Sequence, residues 1–250
     1  MPLWFAFFHQ EQDMADPIQI KASLGHLHTW LFDLDNTLYP ATSSLFPQID
    51  VRMTAFIADF LKVPKDEAFR VQKGFYRKYG TSLRGLMLEH GLEPDVFLDY
   101  VHDIDHSVLD HDANLDTALA RLPGRKLIFT NGSERHAERV LDRLGLADHF
   151  EGIFDVRAAG YIPKPDPETY KIIVKRHGIE ARATAFFEDS PLNLKPAAEI
   201  GMTTILVRHG PDEAAAADHR SHRDADLTHC HHITDDLTAW LNAAAKTLGR

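Results

Sequence analysis

The sequence predicts an α/β protein: a three-layer core, with a parallel sheet between two helical layers, interrupted by a block of helices. Three observations predict it. Five short apolar runs, at residues 29–32, 126–130, 152–156, 184–187 and 203–207, have the length of buried strands. Helical patterns separate the last four, and strand alternating with helix implies a parallel sheet covered on both faces. Between the first and second runs, from Ser43 to about Leu115, no strand pattern occurs.

Taken in order, residues 1–25 read as an N-terminal extension. Its start, MPLWFAFFHQ, is apolar but too short to span a bilayer, and it lacks a basic flank and a cleavage site. Met14 is an alternative start, because patterned sequence begins only near His26. The core comprises residues 26–42 and 116–250. Residues 43–115 form the helical insertion. There Ile49, Met53, Phe56, Ile57 and Phe60 fall at helical spacing, and Ala68, Val71 and Phe75 repeat it after Pro64. Leu83, Leu86 and Met87 follow, ending at Gly91, then Val96, Phe97, Tyr100 and Val101. These stripes read as core packing within about four helices, positioned as a unit over the end of the first strand.

Back in the core, a helical pattern spans 116–121. Glu134–Leu144 reads as a helix stopped by Gly145. Pro167–His177 reads as another, with Asp166 as N-cap, Pro167 at the first helical position and Gly178 at the end. PDEAAAADHRSHRDADL is polar and low in complexity, hence a loop. Residues 227–233 suit a short edge strand, and Asp235 or Asp236 caps a last helix reaching Leu248.

Composition narrows the function. The 250 residues are 44% hydrophobic and 26% charged, ordinary for a soluble globular protein. A net charge of −10 lacks the basic footprint that a nucleic acid polymer requires. A small anionic ligand stays open, since a local field can oppose the global sign. Cys230 is the only cysteine, so no intrachain disulfide forms, which fits a reducing, cytoplasmic setting. Neither a membrane nor a nucleic acid is an expected partner.

In an open parallel sheet, ligands bind beyond the carboxyl ends of the strands. The first run, in WLFDLDNTLYP, ends at Asp33 and Asp35. The second ends TNGS, at residues 130–133. After the third comes Ile162-Pro163-Lys164-Pro165-Asp166, and the fourth ends FFEDS, at Glu188, Asp189 and Ser190. One such aspartate is ordinarily a turn residue. The ordered set of four strand ends, with carboxylates, a hydroxyl and a lysine on one edge, is far more specific.

That set resembles the haloacid dehalogenase-like superfamily of phosphotransferases, over about residues 26–42 and 116–210. The DxDxT motif stands at Asp33-Leu34-Asp35-Asn36-Thr37, the small hydroxyl at Thr130, the lysine at Lys164 and the acidic pair at Glu188-Asp189. The strings LFDLDNTLYP, FTNGS and FFEDSPLN look like its pyrimidine 5′-nucleotidase branch. The resemblance implies a Rossmann-like core and an α-helical cap of the C1 type. It implies Mg²⁺ as cofactor, held by Asp33, the Asp35 backbone carbonyl and Asp189, with Glu188 acting directly or through water. The implied substrate is a small-molecule phosphomonoester, in this branch a nucleoside 5′-monophosphate.

The residue types suit that chemistry. A phosphate dianion repels a carboxylate nucleophile, and a divalent cation removes the obstacle. Asp33 would attack phosphorus to form an aspartyl-phosphate. Asp35 would protonate the leaving oxygen and later activate water, its pKa raised by neighbouring carboxylates. Alternation puts Asp33 and Asp35 on one side and Leu34 on the other if extended backbone persists past Phe32. Thr130, the N–H groups of Asn131 and Gly132, and Lys164 would hold phosphate oxygens.

Other readings stay beside these. Asn36 reads as a turn former and Thr37 as a hydrogen-bonding residue within its loop. Asn193 either orients the acidic pair or faces solvent. Tyr39 is expected to face the cap entrance, packing there or stacking on a base. His229, Cys230, His231 and His232 match no regular zinc spacing, and His26 and His28 are expected to be solvated. Phe46, Arg52, Phe75, Arg77, Tyr79 and Arg84 are candidates to reach the substrate. Rival activities are phosphatase action on a sugar phosphate or pyridoxal phosphate, a phosphomutase, a haloacid dehalogenase, and a silent binding module. A dehalogenase needs no second acid, so Asp35 and the acidic pair argue against it.

Overall fold

A computed structural model describes residues 24–208 and 226–250. The alternative start at Met14 and most of the low-complexity stretch after Pro211 lie outside the described residues.

Six parallel strands form the sheet: β1 Thr29–Phe32, β2 Arg125–Phe129, β3 Ile153–Phe154, β4 Thr184–Glu188, β5 Thr203–Val207 and β6 His232–Thr234. Their order is β3-β2-β1-β4-β5-β6. The chain therefore reverses its direction of growth between β1 and β4, where such sheets open a crevice beyond the strand ends. Side-chain alternation divides the core. Trp30, Phe32, Ile128, Phe187 and Ile205 face α5 (Ala113–Arg121), α6 (Glu134–Leu144) and α9 (Leu237–Thr247). Leu31, Leu127, Phe129, Phe186 and Leu206 face α7 (Pro167–His177) and α8 (Pro191–Glu199). The three layers follow from that period of two.

The helix signals hold. The Ser133 side chain accepts from His136 N–H at the start of α6, and Gly145 ends it at φ 73°. Asp166 caps α7 and Gly178 ends it at φ 59°. Asp236, rather than Asp235, caps α9. The third run keeps only two residues as strand, because the chain turns as it leaves Phe154 and Asp155 takes up another task. Its carboxylate accepts from Glu134 N–H at 3.0 Å and Ala158 N–H at 2.8 Å, tying the start of α6 to the next turn. The edge strand is His232–Thr234, so only His232 and Ile233 of the seven residues expected lie in it.

Four helices lie between β1 and α5: α1 Leu45–Leu61, α2 Lys65–Tyr79, α3 Ser82–His90 and α4 Pro94–Val101. They share a core of their own, in which Ile57, Ala68 and Leu86 are buried, joined to the sheet side through Val156. Gly85 permits the closest approach in that core, because a Cβ there would lie 2.3 Å from Phe75 Cγ.

Candidate active site

All eight residues expected at the site line one cavity of about 160 Å³: Asp33, Asp35, Thr130, Asn131, Gly132, Lys164, Glu188 and Asp189. Its floor is the set of strand ends around the β1–β4 crevice. Asp33 continues the ladder past β1, its N–H donating to Phe187 O at 2.9 Å. Leu34 is fully buried in the core, so the two aspartates share the cavity side, as alternation requires.

Lys164 organises the floor. It is 1% exposed, and Nζ donates to Asp33 Oδ1 at 2.7 Å, Glu188 Oε2 at 2.7 Å and Phe129 O at 2.8 Å. An ammonium has three protons, and all three are used. Its loop is held from a distance: Asn131 Nδ2 donates to Lys164 O at 3.1 Å, and Lys164 N–H donates to Asn131 Oδ1 at 2.8 Å. Asn131 thus aims the lysine through its side chain, a task that its place in TNGS did not reveal. The α2–α3 turn abuts the same loop at Gly80, where φ is 82° and a Cβ would lie 3.2 Å from Lys164 O, so only glycine fits without strain.

One lysine set against Asp33, Glu188 and Asp189 leaves the floor net negative. Burial lifts the Asp33 carboxyl to about 6, a rise that Lys164 opposes and the Asp189 and Asp35 charges reinforce. Burial likewise pushes Glu188 well up, with the Asp33 charge adding to it. Lys164 itself is raised: burial disfavours its charge, but Asp33 and Glu188 outweigh burial. Ligand oxygens of Asp33, Glu188 and Asp189 lie within 4.8 Å of one another. An all-carboxylate donor set short of positive charge fits a hard divalent cation such as Mg²⁺. It is the one metal-type cluster of His, Cys, Asp and Glu among the described residues. The tract at 229–232 is structural instead: His229 Nε2 meets Pro191 O at 2.6 Å, and His231 Nδ1 accepts from Thr204 N–H at 3.0 Å.

Asp35 departs from expectation. Burial would raise its pKa, but His136, by charge and hydrogen bond, then Tyr39 and His102, outweigh burial and hold it below the ordinary carboxylate range. The sequence reading weighed only the neighbouring carboxylates. A histidine contributed from 101 positions away supplies the dominant charge, with Nε2 2.9 Å from Asp35 Oδ1. Tyr39 takes the packing alternative, but in the core and not at an entrance: it is 3% exposed, and its hydroxyl donates to Asp35 Oδ1 at 2.5 Å. His136 sits in a histidine cluster: His102 stacks on it at 4.5 Å and 8°, and His106 Nε2 lies 3.3 Å from its Nδ1. The signal was present in the sequence, because His136 falls on the apolar stripe of α6 with Val140 and Leu144.

The remaining readings sort as follows. Asn36 takes the left-handed conformation at φ 59°, and Thr37 Oγ1 donates to Asp33 Oδ2 at 3.2 Å. Asn193 lines the cavity. His26 and His28 are exposed. Thr130 Oγ1 accepts from Gly132 N–H at 2.9 Å, so hydroxyl and loop are already ordered together. Of the six cap candidates, Phe46 alone lines the cavity. Arg77, Tyr79 and Arg84 line an adjoining outer cleft. Phe75 is spent on packing against Gly85, and Arg52 lies over the Tyr100 ring at 4.3 Å. The cap-side wall comes from other residues: Met53 and Phe97 with the polar group Asp50, Gln72, Lys73 and Tyr76.

With this floor described, comparison is decisive for the family, because residues 28–201 match the haloacid dehalogenase-like hydrolases. The chain belongs to that family. It is 30% identical over 210 residues to Phosphate metabolism protein 8 of Saccharomyces cerevisiae, a match covering 77% of this chain. It spans 65% of the length of that yeast protein. Among solved structures, the magnesium-bound HAD-hydrolase YfnB of Bacillus subtilis aligns with TM-score 0.56 at 18% identity, over 90% of this chain and 99% of that one. The L-2-haloacid dehalogenase of Xanthobacter autotrophicus with chloropropionic acid covalently bound aligns with TM-score 0.53 at 17% identity, over 89% and 98%. At such identities the two structures speak for the fold: the family's α/β fold with a parallel sheet. No helix among the described residues is long and apolar enough to cross a membrane.

Proposed function

We propose that this hydrolase is a cytoplasmic, Mg²⁺-dependent phosphomonoesterase acting through an aspartyl-phosphate on Asp33. Its substrates are nucleoside 5′-monophosphates, foremost the pyrimidine ones. The observation that carries the reading is the net-negative carboxylate cluster of Asp33, Glu188 and Asp189 around one buried lysine, with a second acid, Asp35, beside it. A dehalogenase has no use for that second acid. The pyrimidine preference rests on the strings LFDLDNTLYP, FTNGS and FFEDSPLN, and a cavity wall mixing Phe97 and Tyr76 with Gln72 and Lys73 is compatible with a flat heterocycle.

Asp33, Asp189 and the Asp35 carbonyl would hold the cation, with Glu188 directly or through water; bound there, it neutralises phosphoryl charge. Lys164 and Thr37 fix the two oxygens of Asp33, so the carboxylate meets phosphorus in one orientation. An Asp33 oxygen bonds to phosphorus as the bond to the leaving oxygen breaks, and Asp35, ionised in the free protein and protonated once the phosphate dianion lies beside it, gives that oxygen a proton. Asp35 then takes a proton from water, whose oxygen bonds to phosphorus as the Asp33 ester breaks, releasing inorganic phosphate. The Thr130 hydroxyl and the Asn131 N–H hold the phosphoryl oxygens, while Lys164, with its three protons on the floor, and Gly132, whose N–H is given to Thr130, order the site around them. The inserted helices form the lid that excludes bulk water and reads the leaving group.

The test is phosphate release from UMP, CMP, AMP, GMP, pyridoxal phosphate, glucose phosphates and a chromogenic ester, with Mg²⁺ and with chelator. Metal-dependent release favouring UMP and CMP is expected. Metal-dependent release with another favourite discards the nucleotide preference alone. No release from any member by folded protein overturns the phosphatase reading.

A further inference from the structure

Asp35 is held in an unusual way for a group that must hand over a proton. Its Oδ1 lies between two donors from different parts of the chain, Tyr39 Oη at 2.5 Å and His136 Nε2 at 2.9 Å. Its Oδ2 accepts no hydrogen bond from any described residue, and it faces Gly132 of the TNGS loop, 3.7 Å from where a Cβ would stand. Both donors are themselves buried. Tyr39 is 3% exposed and packed in the core, and His136 is fully buried. The His136 ring is pinned on its other sides by the stacked His102 and by His106. His102 Nδ1 is in turn tied to Ser133 Oγ at 2.9 Å, and His106 Nδ1 donates to Ile104 O at 3.1 Å.

We infer that Tyr39 and His136 are positioning residues for Asp35: by occupying Oδ1 from two directions they fix the carboxyl's rotation and present Oδ2 to the leaving oxygen. This rests on the phosphatase reading above, in which Asp35 is the acid. The physical argument is angular. One hydrogen bond leaves a carboxyl free to swing about it, whereas two donors converging on one oxygen define the carboxyl plane. Proton transfer is useful only from a group already aligned when the bond to the leaving oxygen stretches. His102 and His106 follow α4, at the exit of the inserted helices, so the lid reaches the acid through His136.

The test separates positioning from mere packing through the leaving group. A leaving group that departs as a stable anion needs no proton; an alcohol does. The substrates are 2,4-dinitrophenyl phosphate and UMP, and the variants Tyr39→Phe, His136→Leu and His136→Gln, with melting curves for each. The readout is kcat/KM, which reports steps up to departure of the leaving group and not the later hydrolysis. Tyr39→Phe and His136→Leu are expected to lose about tenfold or more on UMP, a part of the ~10²–10⁴-fold that general acid catalysis supplies, and little on the aryl ester. His136→Gln, which keeps a donor, is expected to recover part of the loss on UMP. Equal losses on both substrates, or no loss on either by folded variants, overturn the inference. Wild-type protein that releases phosphate from neither ester nor any other member of the panel overturns the phosphatase reading, and the inference falls with it.

Discussion

The floor and the cap-side wall of the cavity are built on opposite rules. The floor is a knot of buried charge: Lys164, Asp33 and Glu188 are each under 10% exposed, and every Lys164 proton is committed. The wall is apolar, with Met53, Leu83, Phe97 and Val101 around one partly exposed polar group in which Lys73 Nζ meets Asp50 Oδ1 at 2.7 Å. A buried ionic knot tolerates least the loss of its one cation, because removing Lys164 would strand two carboxylates in low dielectric, whereas loss of one carboxylate leaves Lys164 the other. A mixed wall tolerates exchange of side chains at modest cost. On the function proposed, the difference assigns the chemistry to the floor and selection to the wall.

The largest effect that would break this comparison is at Asp33. Asp33→Asn is expected to reduce turnover to below a few per cent of wild type, as for any covalent nucleophile. Its stability should move the other way. A carboxyl whose folded pKa is raised, here from 3.8 to about 6, favours the fold below its unfolded pKa and loses that contribution as pH rises through about 6. At pH 7.5 the metal-free protein therefore carries a strained anion, and the neutral asparagine should raise stability by on the order of 1–3 kcal/mol, fading by pH 4. Melting curves at both pH values check this; an unchanged midpoint at pH 7.5 would contradict a floor short of positive charge.

A smaller effect is expected on the wall. Lys73→Ala should lower kcat/KM for UMP by about tenfold while changing the chromogenic ester by less than about twofold, since one lost polar contact discriminates by a few kcal/mol at most. A comparable loss on both esters would move Lys73 from selection to the chemistry. The smallest effect belongs outside the cavity. Arg52 lies over Tyr100 and 3.3 Å from Asp103, 30% exposed, so Arg52→Ala should leave activity unchanged and cost stability about 1 kcal/mol or less. A changed substrate preference there would extend the wall beyond the cavity described.

Much of this was legible before any coordinates. Glu134–Leu144 and Pro167–His177 begin and end where their caps and glycines say, because capping is a local negotiation between a side chain and the first free N–H groups. The third strand was overlong in the reading, because a strand's end depends on its neighbour and not on its own apolar run. The floor residues were legible as a set because each ends its own strand, and parallel strands bring their ends to one edge. The cap candidates fared worse, since helical periodicity tells which face is buried and not what it is buried against.

What the sequence determined by itself was therefore the order of elements, the layers they form and the eight residues that line the cavity floor. What only the tertiary structure decided was how those residues are held. Asn131 grips the Lys164 loop across 33 positions, and His136 grips Asp35 across 101. Neither distance is encoded in local spacing; both follow from a sheet whose first strand lies between its second and fourth. The same crossing reversed the expected pKa of Asp35, because a buried group answers to whichever charge the fold sets beside it, and that neighbour is chosen by topology.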